Sequence, residues 1–275
     1  AQTVSIGNVN LKPEVADSTG AGVVYQPSWL PGFNTSFDYY NIDITGAISS
    51  VAAQDTVNRC AAGLTTFCDS VIRDPATGTI TQVIAQEYNL VSQNTSGFDI
   101  EASYQMQLSD LLDGWKGGLV LRALGTRVMD YTSNDGEKLS ELAGNNYTSG
   151  PPHWRWLMSA TYSNEPFTFT LTGRAVSAGR YDNSYVVCNS ACPPSTANNM
   201  TINSNHIDGA LYIDMSTTYD ITEQLQGFLA VQNVFDKDPA VVAPIGGSNF
   251  YVSSGNSLLY DTLGRQFRFG VRLNM

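Results

Sequence analysis

Charge is scarce in this chain. Asp, Glu, Lys and Arg make up 14% of its 275 residues, against about 25% in ordinary soluble domains, so much of the surface is not built to face water. Positive charge is scarcer still: 14 Lys and Arg stand against 25 Asp and Glu, for a formal net charge of -11. That balance argues against nucleic acid as a partner, because neutralising phosphates needs a basic face. Histidine occurs twice, at His153 and His206, and neither sits at ligand spacing, which weakens any reading as a zinc site. No apolar run approaches the roughly 18 to 20 residues of a membrane-spanning helix. This excludes helical spans but leaves strands open, whose signal per segment is much weaker. No signal peptide stands at Ala1, so the chain is expected to be mature or a fragment.

The four cysteines fall into two close pairs, Cys60 with Cys68 and Cys188 with Cys192. Local pairs in loop-like sequence read as two small disulfides in an oxidising compartment, with free or metal-bound thiols as the alternative.

What the chain has is alternation. In residues 266–275, Phe267, Phe269, Val271, Leu273 and Met275 fall on one side and Gln266, Arg268, Gly270, Arg272 and Asn274 on the other. A strand with one apolar and one polar face produces this pattern. Residues 97–108 repeat it, with Phe98, Ile100, Ala102 and Tyr104 against Asp99, Glu101 and Ser103. So do 154–162, 167–175 and 211–220. Residues 116–131 alternate less cleanly, because Val120 and Leu124 fall among Arg122, Thr126 and Asp130. Residues 19–25, 33–45 and 225–235 complete a set of nine predicted strands, with a bulge expected near Tyr40 where the phase changes. Between them, Ile48, Val51, Ala52 and Val57 have helical spacing, which predicts a short helix within residues 46–62, pinned by Cys60 and Cys68. Asp74-Pro-Ala-Thr-Gly78 reads as a turn before a small hairpin arm over residues 79–83.

The connections alternate short and long. The short ones centre on Leu30, Leu112, Glu165 and Glu223; the long ones run to roughly 20 to 40 residues, against the few of ordinary hairpins. Short turns at one end and long loops at the other are the signature of a transmembrane antiparallel β-barrel. A soluble sandwich spreads its loop lengths more evenly. The parity adds an expectation. A chain ending on the short-turn side has its ninth and first strands both running inward, whereas bacterial barrels normally have an even number. Two open sheet edges in a membrane leave backbone groups unsatisfied. The chain is therefore expected to be the C-terminal part of a larger barrel, or one of two chains that close together.

Several segments carry a resemblance. Gly7-Asn-Val-Asn-Leu-Lys-Pro-Glu14, Trp29-Leu-Pro-Gly-Phe33 before Asp38-Tyr-Tyr40, Gly97-Phe-Asp-Ile-Glu-Ala-Ser-Tyr104, Val231-Gln-Asn-Val-Phe-Asp-Lys237 and Tyr260-Asp-Thr-Leu-Gly-Arg-Gln-Phe-Arg-Phe-Gly-Val-Arg-Leu273 resemble, in order, segments of TonB-dependent outer-membrane receptors. The resemblance implies a 22-stranded barrel of which these are the last nine strands, with short periplasmic turns and long extracellular loops. The plug domain and the N-terminal strands then lie outside residues 1–275. It implies a place in the bacterial outer membrane and energised import of a siderophore, a cobalamin or an oligosaccharide. The implied partners are lipid, the rest of the barrel and plug, TonB through that plug, and the ligand itself. The family usually ends in an aromatic residue, and here Met275 stands in its place, which bears on assembly. A passive porin-like or structural barrel subunit is the alternative function, and a secreted β-sandwich binding module a more distant one.

No cofactor motif and no catalytic constellation emerge, and the chain is not expected to be an enzyme. Asp99 and Glu101 share a face and read as lumen-wetting residues rather than paired acids. His153 and His206 read as solvated loop histidines rather than members of a triad. Asn134-Asp-Gly136-Glu137 lacks the ligands of a calcium loop and reads as a turn. The sequons at Asn34, Asn94, Asn146 and Asn199 matter only in a eukaryotic secreted protein. Trp154, Trp156, Tyr104, Tyr162 and Tyr219 are expected in interfacial aromatic belts. Arg122, Asp130, Arg155, Arg174 and Arg180 lie on strands leading into the long loops. They are the candidate lumen or substrate-side positions, with plug docking and lumen solvation as the other readings.

Overall fold

The computed structural model describes residues 1–136, 138–147, 150–196, 199–242 and 259–273; Glu137 and Met275 lie outside them. The chain divides into two compact units, one of residues 1–18, 42–94 and 133–139, the other of residues 19–41, 95–132 and 140–275.

Nine long strands dominate the described residues: β1 (Val15–Tyr25), β2 (Phe33–Ser50), β3 (Glu87–Gln107), β4 (Gly118–Asn134), β5 (Trp154–Asn164), β6 (Phe167–Val176), β7 (Ala210–Asp220), β8 (Leu225–Gln232) and β9 (Gln266–Leu273). Each pairs with its neighbours in sequence, so the sheet order simply runs from β9 back to β1, with the short strand Leu139–Glu141 added beside β4. The registered pairs from β4 to β9 are all antiparallel. The nine-strand expectation holds.

Period-two patterning survives as register in the second unit. Leu121, Ala160, Leu171, Met215, Val231 and Phe267 stand opposite one another across six strands on one face. On the other face, Arg122, Ser159, Thr172 and Asp214 do the same. A slip of one residue in any pair would exchange the two sets. Aromatic rings gather at two levels of the apolar face. Trp154 stacks on Trp156 at 5.3 Å and meets Phe98 edge-on at 5.5 Å, and Phe98 reaches Phe37 at 5.1 Å. Nearer the short turns, Tyr162 approaches Phe167, which stands opposite Tyr219. At the β9 edge this face stays open, with Phe267, Phe269, Val271 and Leu273 between 61% and 80% exposed.

Glycine decides two close approaches. At Gly97 a Cβ would collide with the Arg127 carbonyl and the Tyr40 ring, so the ring lies across β3 only because no side chain is there. Gly32, at φ +85°, closes the turn between β1 and β2 against Gln105, whose amide donates to the Gly32 carbonyl at 3.0 Å.

Two expectations change in their bounds. Strand β2 runs on to Ser50, so Ile48 is extended and the helix α1 covers only Ala53–Ala61. Spacings of three and four among Ile48, Val51 and Ala52 mimic a helix, but the β-branched run before them favours extension. The strand passes through Tyr40, and its left-handed residue is Gly46, at φ +65°. Strand β8 stops at Gln232 rather than Phe235, because Asn233 turns left-handed at φ +51° and its side chain bonds both the amide and the carbonyl of Lys237.

In the first unit, α1 and the 3-10 turn Thr65–Ser70 are joined by the Cys60–Cys68 disulfide, with Cα atoms 4.8 Å apart. The expected turn at Asp74 links Val71–Arg73 to Ile80–Ala85, and Gln2–Ser5 adds to that hairpin in parallel. Val51, Phe67 and Tyr88 form its core. Arg59, 7% exposed, binds the Asp135 carboxylate at 3.0 Å and lies 5.3 Å from the Phe67 ring centre.

Candidate functional site

At the loop end of the second unit, the described residues of three stretches of connecting chain, within 140–153, 177–209 and 233–265, are bonded together. Asn146 is fully buried. Its amide nitrogen donates to the Ser177 carbonyl at 2.8 Å and to the Tyr260 hydroxyl at 3.1 Å, and that hydroxyl donates to the Asp208 carbonyl at 2.9 Å. Gly144 accepts from the Arg180 amide at 2.8 Å, and the Asn146 amide donates to the Arg180 carbonyl at 2.9 Å. Gly179 is required here, since a Cβ would collide with the Asn146 side chain. Around these bonds Val176, Tyr181, Ile207, Tyr212, Val242 and Tyr260 make a small apolar core. Burial pushes the Tyr260 phenol above its ordinary range, with the Asp208 carboxylate adding and the Asn146 bond opposing. The Tyr185 phenol is raised likewise, by burial first and then by Asp182 and Tyr147.

Two short ladders complete the region. Gly179–Arg180 pairs antiparallel with His206–Ile207, which sets Arg180 opposite His206. Val186–Val187 pairs parallel with Thr201–Ile202, and the Cys188–Cys192 disulfide closes the arm between them. Asn205 accepts from the amides of Tyr181 and Asp182 and donates to the Asp182 carbonyl, so it holds the two limbs of that loop together.

A cavity of about 1020 Å³ opens among these segments. Asp130 and Glu141 supply carboxylates, Arg180 a guanidinium, and His153 and His206 imidazoles. The Asp130 carboxylate takes the Ser96 hydroxyl at 2.8 Å. Glu141 caps the amides of Ala143 and Tyr131. One ring nitrogen of His153 is bonded to the Val128 carbonyl at 3.1 Å, and His206 to Asp208 at 3.0 Å. A second cavity of about 480 Å³ lies over the polar face of the sheet, where Leu124, Leu157 and Val176 form an apolar wall beside Arg155 and Arg174. Arg174 is held by two carboxylates, Asp214 on β7 and Asp261 in the last loop, each through two hydrogen bonds of 2.6 to 3.1 Å.

The five candidate positions thus divide. Asp130 and Arg180 meet in the larger cavity, while Arg155 and Arg174 line the smaller one. Arg122 lines neither and is paired with Glu101 at 2.6 Å, as Asp99 is with the Thr126 hydroxyl. Glu141, Asn203 and Ser204 carry no signal in the sequence, and neither do the structural roles of Asn146, Asp261 and Tyr260. From the sequence the two histidines read only as loop residues. Their shared cavity follows from the pairing of Arg180 with His206, and long-range pairing leaves no local pattern in a sequence.

The family profile described as TonB dependent receptor-like, beta-barrel matches residues 1–234. The chain belongs to this family. Comparison with curated proteins finds no match. Among solved structures, the TonB-dependent receptor sheet described above resembles the siderophore receptor PirA of Acinetobacter baumannii, with a TM-score of 0.61 and 14% identity over 98% of this chain and 33% of that one. A variant of the ferric enterobactin receptor PfeA of Pseudomonas aeruginosa, in complex with enterobactin, gives 0.59 at 14% identity over 98% and 33%. The pyoverdine receptor FpvA of P. aeruginosa PAO1, bound to pyoverdine, gives 0.52 at 17% identity over 96% and 30%. The chain spans about a third of the length of these receptors. At such identities the likeness concerns the fold. Family and neighbours are transport receptors rather than enzymes.

Proposed function

We propose that this chain is the C-terminal barrel portion of an outer-membrane receptor of a Gram-negative bacterium. It imports a scarce, bulky nutrient (a siderophore, a cobalamin or an oligosaccharide) with energy delivered by TonB to a plug carried outside residues 1–275. The observation that carries this reading is the two-faced sheet. An exposed apolar face of this extent is untenable in water and is what a bilayer requires. The aromatic levels support it further: Trp154 and Tyr162 are eight residues apart on β5, about 26 Å along the strand, close to the roughly 25 Å apolar band of such barrels before strand tilt is subtracted.

Backbone groups at the outer edges of β1 and β9 are satisfied, on this reading, by the remaining barrel strands. Ligand is captured at the loop end, where Asp130 and Arg180 are the substrate-side positions. Arg122 and Arg174 serve the architecture, since carboxylates already neutralise them, and Arg155 faces the lumen and the plug. The test is uptake by whole cells expressing the receptor, measured with and without a protonophore. Energised import predicts that uptake collapses with the proton-motive force; uptake that continues undiminished would mean a passive barrel.

A further inference from the structure

We propose that the larger loop-end cavity takes a neutral oligosaccharide. The inference rests on the receptor reading above and narrows its ligand. Charge is the first argument. Two carboxylates, Asp130 and Glu141, and one guanidinium, Arg180, line the cavity, in a chain whose net charge is -11. A polyanionic chelate entering this space meets repulsion that one arginine does not offset.

The unspent hydrogen-bonding groups are the second argument. Within the described residues, no side-chain hydrogen bond or ion pair of Asn203, Ser204 or Arg180 is found, and all three are exposed at the cavity wall. Asn183 donates to the carbonyls of Glu141 and Ala143, which leaves its own oxygen to accept. The wall therefore offers donors and acceptors interspersed, and hydroxyl groups, which both donate and accept, match such a wall. The backbone beneath these groups is held by Asn205 and by the Arg180–His206 pairing, so on binding only the side chains remain to be ordered.

Shape is the third argument. The half-buried Tyr185 lines the cavity, as do the apolar Val187 and Met129, and an aromatic lining residue suits the C–H faces of pyranose rings. The volume of about 1020 Å³ is at the upper end for small-molecule pockets, which leaves room for several sugar units.

The experiment is calorimetric titration of the full receptor, plug included, in detergent. The neutral probes are maltohexaose, cellohexaose and chitohexaose, and the anionic probe is a ferric tris-catecholate. The expected result is saturable binding of at least one hexaose, weakened about tenfold in an Asn203→Ala/Ser204→Ala variant by the loss of one to two hydrogen bonds. Both residues are exposed, and unchanged heat-modifiable gel mobility reports that the variant is folded. Absence of binding by all three sugars at about 1 mM overturns the proposal. So does tight binding of the ferric complex that Arg180→Ala weakens. Equilibrium binding needs no TonB. Sugar binding without energy-dependent uptake therefore sinks the transport reading alone, and uptake without sugar binding sinks this one alone.

Discussion

The side-chain amide of Asn146 donates to the hydroxyl of Tyr260 at 3.1 Å across 114 residues of chain. That hydroxyl passes its own hydrogen to the Asp208 carbonyl, so one buried phenol links three loops. Tyr260→Phe is expected to leave the Asn146 donor and the Asp208 carbonyl short of a partner, at about 1–3 kcal/mol of local stability. Limited proteolysis should then cut residues 140–153 and 177–209 faster, while the barrel keeps its heat-modifiable gel mobility. Unchanged cleavage would show that the link is incidental.

The same phenol sets a pH dependence. Burial raises its folded-state value above the roughly 10 of the unfolded chain. An acid with a raised folded value holds its proton more tightly when folded. Its contribution is therefore complete below about pH 10 and is lost as the pH climbs through the folded value. Hydrogen exchange of the loop amides should accelerate above about pH 10 in the native protein, and this added acceleration should be absent from Tyr260→Phe.

Arg174 lies between two carboxylates, with its side chain 36% exposed. Arg174→Met leaves Asp214 and Asp261 facing each other without a cation. A fully buried pair broken this way costs about 3–5 kcal/mol, and solvent screening at this exposure lowers the expectation to about 1–2 kcal/mol. Adding Asp261→Asn should recover part of the loss, which thermal melts of the two variants would measure. Equal melting of single and double variants would contradict the coupling.

The disulfide between Cys60 and Cys68 encloses a short loop that holds α1 against the Thr65–Ser70 turn. Closure of a loop that size stabilises by about 2–3 kcal/mol. Reduction, or Cys60→Ser/Cys68→Ser, is expected to expose residues 53–70 to protease. The strands of the second unit should be untouched, and loss of the whole sheet on reduction would contradict that independence.

Strands were legible because a sheet with one apolar face writes its register into the sequence, as Phe98, Ile100, Ala102 and Tyr104 do. The site was not. Asn146 and Tyr260 carry no period, and Gln2–Ser5 joins Ile80–Ala85 across a separation that no local pattern encodes. The most useful local sign was an irregularity. Leu124 broke the alternation of β4, and the structure pairs it with Leu157 on the polar face, where both wall the smaller cavity. Where alternation fails on a barrel strand, the lumen side is the place to look.

The order of the sheet has a kinetic consequence. Among the described residues, each of the nine long strands pairs with its neighbours in that series, but the joints are unequal. Two residues separate β5 from β6, while the stretch from β6 to β7 covers residues 177–209. At about 0.6 kcal/mol per doubling of loop length, the longer closure costs about 2.5 kcal/mol more. The pairs β5–β6 and β7–β8 should therefore close first, each at its short turn, and the sheet should grow by whole hairpins rather than by single strands.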